Sequence, residues 1–122
     1  MRQQRMTWRR FEYTMFIPKI AWDTERAQRF ADFYADAVGA QRKPIVFDLA
    51  MRGRGSRYLG MFHEDRISLS VELDSDERWR TLIHELAHYW ARHDQKKLFL
   101  EAMQMTHRMF RQWLIMDDQE AS

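Results

Sequence analysis

Apolar residues recur at helical spacing through Ala27, Phe30, Ala31, Tyr34 and Val38, with Asp23 ahead as an N-cap and Gly39 behind as a stop. The same period returns in Leu98, Phe99, Ala102, Met103, Met109, Phe110, Trp113 and Leu114, which predicts a long closing helix. Between them, Asp74-Ser-Asp-Glu77 supplies acidic capping residues for a helix that runs on from Arg78. Four runs are strand-like: Glu12–Ile17 closed by Pro18, Pro44–Ala50, Arg57–Phe62 and Arg66–Val71. His63-Glu64-Asp65 separates the last two and predicts a hairpin, while Arg52-Gly-Arg-Gly-Ser56 reads as a glycine loop. Within Arg66–Val71, the side chains of Ile67, Leu69 and Val71 share one face and Ser68 and Ser70 the other. The order β-α-β-β-β-α-α predicts an α+β domain with helices on one side of a mixed or antiparallel sheet of three to four strands.

Composition narrows this. With 122 residues, 1–122 make a single domain, and eight Phe, five Trp and four Tyr supply enough apolar bulk to offset chain ordering. The absence of Cys excludes a disulfide scaffold, a Cys-type zinc finger and a thiol protease, so any metal must sit on His and carboxylates. No run approaches the roughly 20 apolar residues of a membrane span, and the basic segment 1–10 has no apolar run behind it. A cytoplasmic monomer with no membrane partner is the expectation. Net charge is +2, unevenly spread: four Arg and no acid lie in residues 1–10, whereas Asp117, Asp118 and Glu120 make an acidic tail over 117–122. Arg suits phosphate, so Arg52, Arg54 and Arg57 are candidate DNA contacts.

The chemistry gathers in Leu82-Ile-His84-Glu85-Leu-Ala-His88. A spacing of four puts His84 and His88 one turn apart on one helix face, where both imidazoles reach a single zinc ion. Leu82, Ile83, Leu86 and Trp90 centre on a separate face that anchors the helix in the core. Glu85 stands beside the two His as the candidate catalytic base, placed to take a proton from metal-bound water. Zinc needs a third ligand and an open position, and His93, Glu101 and His107 are the candidates. In an unbroken helix His93 would point roughly 160° away. The apolar faces before Trp90 and after Leu98, however, differ by roughly 150°, which requires a break between them. A helix stopping near Ala91–Arg92, with Asp94 capping the next one, would bring His93 to the metal as its third ligand. His63 reads as a solvated turn residue.

Arg57-Tyr-Leu-Gly60-Met-Phe, Arg66-Ile-Ser-Leu-Ser70 and the motif helix together resemble SprT-like zinc metallopeptidases of compact bacterial or phage type, over roughly Arg52 to Met103. That family opens the next helix with His-Gly-x-x-Phe, to which His93-Asp-Gln-Lys-Lys-Leu-Phe99 is similar, with Asp94 in place of the Gly. The resemblance implies a minimal zincin-like domain and a zinc-dependent endopeptidase that hydrolyses peptide bonds by metal-activated water, acting on proteins associated with DNA. On this reading a protein or peptide substrate lies along the strand Arg66–Val71, and Tyr58, Tyr89 or an Arg stabilises the oxyanion. Two other readings stand beside it. One is a non-catalytic zinc-binding regulatory or DNA-binding protein. The other is a repressor-cleaving regulator of a mobile element, which also uses His-Glu-x-x-His.

Overall fold

The computed structural model describes residues 5–49 and 59–121. Its elements run α1 (Trp8–Thr14), α2 (Thr24–Val38), β1 (Ile45–Leu49), β2 (Gly60–Phe62), β3 (Ile67–Ser70), α3 (Ser75–Ala87) and α4 (Lys96–Ala121). This is a small α+β fold, as expected. Local chemistry explains most boundaries. The Asp23 side chain accepts the Glu25 and Arg26 amides at the start of α2, and Gly39 closes that helix in the left-handed region at φ 73°. Asp74 accepts the Glu77 amide, and Glu77 reaches back to the Asp74 amide, so α3 opens on a capping box.

The first predicted strand is corrected. Residues 12–14 of the Glu12–Ile17 run belong to α1, which Thr7 caps by accepting the Arg10 amide. What survives is Met15–Ile17, alternately buried, exposed and buried, with no partner strand among the described residues. The alternation is real, yet it serves to lay Met15 and Ile17 on the core rather than to build a sheet.

The sheet is mixed, in the order β1-β3-β2, with β1 parallel and β2 antiparallel to β3. Phe62 pairs with Ile67 and Gly60 with Leu69, confirming the hairpin. Because β3 lies in the centre, all four of its residues are buried, the two Ser included. That position also overturns the expectation that substrate lies along Arg66–Val71: both edges of β3 are already paired. The edge strand of the hairpin is β2.

Behind the sheet, Trp79, Leu82, Ile83 and Leu86 of α3 pack with Phe30 and Tyr34 of α2 and with Phe99, Met103 and Phe110 of α4. Trp90 does not continue the α3 face; it lies past the helix end, half exposed, and its indole N–H donates to the Tyr34 hydroxyl at 2.8 Å. The acidic tail is not a free charge run, since Arg26 holds Asp117 and Asp118 at 2.9 and 2.7 Å and so ties the end of α4 to α2. Among the described residues, no helix is long and apolar enough to cross a membrane.

Candidate metal centre

His84 lies in the last turn of α3, and His88 is the C-cap of that helix. Beyond Ala87 the chain tightens: the amides of His88, Tyr89 and Trp90 bond three residues back, to Glu85, Leu86 and Ala87. The regular helix thus ends four residues before the Ala91–Arg92 stop that the sequence predicts, and the tighter turn covers the difference. The chain then reverses through Ala91–Gln95 into α4. Gln95, whose carbonyl accepts the Phe99 amide, precedes that helix, while Asp94 pairs with Arg92 instead of capping.

The reversal brings His93 back to the motif. Its Nε2 lies 2.8 Å from Nε2 of His84, and one ligand nitrogen from each of His84, His88 and His93 falls within 4.8 Å of the others. The other candidate third ligands are elsewhere: Glu101 is exposed on α4, and His107 meets the Phe16 carbonyl at 2.6 Å. His63 is half-buried in the hairpin turn, with Nε2 shielded from solvent, so it is not the fully solvated residue expected.

Each ring is held from behind. Nδ1 of His88 donates to the Ala91 carbonyl at 2.9 Å, and Nδ1 of His84 bonds to the Glu12 carboxylate of α1. These bonds leave Nε2 of both rings turned to the common space. Trp8 stacks on His93 with centroids 4.6 Å apart, and Phe99 stacks on His88 at the same separation while meeting the other two rings edge-on. Three imidazole nitrogens with an aromatic backing fit a borderline-soft divalent metal such as zinc, and they leave further coordination positions open.

Glu85 is 4% exposed beside this triad, with Oε2 3.9 Å from Nε2 of His84. Burial pushes its carboxyl up to about 7, against the pull of His84 and with a push from Glu12. Burial disfavours protonation of His84, but the Glu12 hydrogen bond and the charges of Glu85 and Glu12 outweigh it and leave the ring above its ordinary value. His88, lacking a carboxylate partner, is carried down to about 4 by burial. His93 is likewise lowered, by burial and then by His84.

Strand β2 roofs the carboxylate. A Cβ on Gly60 would stand 2.7 Å from Cγ2 of Thr81 and 3.0 Å from Oε2 of Glu85, so only glycine lets the backbone pass. Two cavities flank the triad along this strand. One of about 520 Å³ is bounded by Trp8, Tyr13, Leu59 and Arg80; the other, of about 350 Å³, is bounded by Met61, Phe62 and Arg92. A larger one of about 790 Å³, between Phe11, His107 and Arg111, contains none of the three His.

Of the oxyanion candidates, Tyr89 is committed to the Gln41 carbonyl at 2.7 Å. Tyr58, and the candidate DNA contacts Arg52, Arg54 and Arg57, lie outside the described residues. Sequence reasoning missed Glu12, which has no local signal because its partner is 72 residues away. It also missed Gly60 as a site residue, although a glycine inside a strand pattern is a recognised mark of close backbone approach.

Neither a curated protein nor a solved structure matches the chain. Residues 45–122, which contain the motif helix, His93 and the hairpin, match the IrrE N-terminal-like domain of the Peptidase_M78 family. The resemblance to SprT-like enzymes therefore holds at the level of a zinc metallopeptidase-type family and not at the level of that particular one. With more than half its length matched and a His triad that could hold a metal inside the match, the chain belongs to the family of IrrE N-terminal-like peptidase domains.

Proposed function

We propose that this chain is a zinc-dependent endopeptidase that cuts a regulatory protein, in the manner of a repressor-cleaving regulator. The observation that carries this reading is the meeting of three His nitrogens beside the buried carboxyl of Glu85, beneath an edge strand. His84, His88 and His93 are the metal ligands and Glu85 is the base. Bound there, zinc would polarise a peptide carbonyl and acidify water towards a pKa of about 7. Glu85 would accept the proton at Oε2, which stands 3.9 Å from Nε2 of His84, and pass it to the leaving amine. The edge of β2 that no described strand occupies would pair with an extended substrate main chain, and the two flanking cavities would take side chains on either side of the cut.

Membership of the IrrE N-terminal-like family favours a regulatory target over general digestion. A protein that merely stores structural zinc would have no use for Glu85, and this separates the readings experimentally. Zinc-loaded protein is incubated with a peptide library, and cleavage is followed by mass spectrometry. Wild type should cleave, a chelator should stop it, and Glu85→Gln should keep its zinc while losing about 10²–10⁴-fold in rate. Cleavage by Glu85→Gln at the wild-type rate would overturn the assignment.

A further inference from the structure

Helix α1 precedes the segment that carries the family match, yet it touches two of the three His. Its attachment to α3 is specific. Arg80, one turn before His84, donates through Nη1 to the carbonyls of Glu12 and Met15 at 2.5 and 2.9 Å, gripping the last turn of α1. That grip sets the Glu12 side chain against Nδ1 of His84. Glu12 is one-quarter exposed and His84 about one-eighth, so the bond is only partly screened by water.

We infer that Glu12 is a positioning residue of the metal centre, tuning its zinc affinity through His84. A carboxylate acceptor at Nδ1 holds the proton there, so Nε2 carries the lone pair a metal needs. It also makes the ring more electron-rich, and it fixes the ring plane before the metal arrives. His88 has only the Ala91 carbonyl in the same role, and among the described residues no hydrogen bond is found to Nδ1 of His93. Glu12 is thus the anionic partner of the set, and its removal should fall on metal affinity more than on the fold. This inference rests on the proposal that the triad binds zinc.

The test is zinc affinity by chelator competition for wild type, Glu12→Ala and Glu12→Gln, with the thermal midpoint of each measured without metal. Wild type should bind one zinc. Glu12→Ala should bind about 10–100-fold more weakly with its metal-free midpoint little changed, and Glu12→Gln, which still accepts from Nδ1–H but without charge, should fall between. Affinities of both variants equal to wild type would overturn the inference and leave the zinc site standing. So would a loss of affinity matched by loss of folded protein in both variants, since that marks a structural role. A wild type that binds no zinc would overturn the zinc site itself, and the role of Glu12 with it.

Discussion

Helices α1 and α3 both face the His triad, but they are held there by different forces. The thirteen residues of α3 include seven buried ones, among them Trp79, Leu82, Ile83 and Leu86. The seven residues of α1 bury Trp8 alone. A helix of two turns is not stable by itself, so α1 depends on the Thr7 cap, the Arg80 grip and its ring contacts. Hydrophobic burial therefore places the motif, and polar contacts adjust it. One helix carries His84 and His88 because the core fixes its position, and the other, seated on α4 through Trp8 and Phe11, meets His84 through Glu12.

The contrast can be broken first at α3. Leu86→Ala should cost about 2–5 kcal/mol, measured by urea unfolding in excess chelator so that metal linkage does not enter. A loss below about 1 kcal/mol would mean that the motif helix is not seated by its core face. The next effect is steric. Gly60→Ala should cost about 1–3 kcal/mol by forcing Thr81 and Glu85 aside, and Thr81→Ser in the same background, which removes Cγ2, should recover part of it. Equal stability of Gly60→Ala and wild type would show that β2 does not press on the motif helix. Smallest are the caps. Asp74→Ala, which dissolves a reciprocal capping box on α3, should cost about 1 kcal/mol, and Thr7→Ala, which removes one bond from α1, about half as much. If Thr7→Ala proved the costlier, α1 would be better integrated with the fold than its burial implies.

The same contrast explains what could be read from the chain. Helix α2, the β2–β3 hairpin and α3 announce themselves because cap, period and stop lie within a few residues: Asp23 and Gly39, or Asp74 and Glu77. Even the return of His93 is legible, since a shift of apolar phase between Trp90 and Leu98 demands a break and His93 lies within it. The last turn of α1 reads as strand because Glu-Tyr-Thr-Met-Phe-Ile has the composition of a strand, whereas Thr7 caps the helix from its start and the distant Arg80 and His84 hold its end. The centrality of β3 was equally hidden. Nothing in Ile67–Ser70 states that β1 will pair on its far side, and the parallel pairing closes through residues distant in sequence. Glu12 belongs to this class: a carboxylate whose meaning lies wholly in its partner.

Anomalous X-ray diffraction from a crystal of the zinc-loaded protein, collected at the zinc absorption edge, tests whether His84, His88 and His93 hold one zinc ion. One peak should appear at about 2.0–2.1 Å from Nε2 of each of the three rings, with the remaining coordination facing Glu85. A peak elsewhere, no peak, or a peak bound by His84 and His88 with His93 turned away would contradict it.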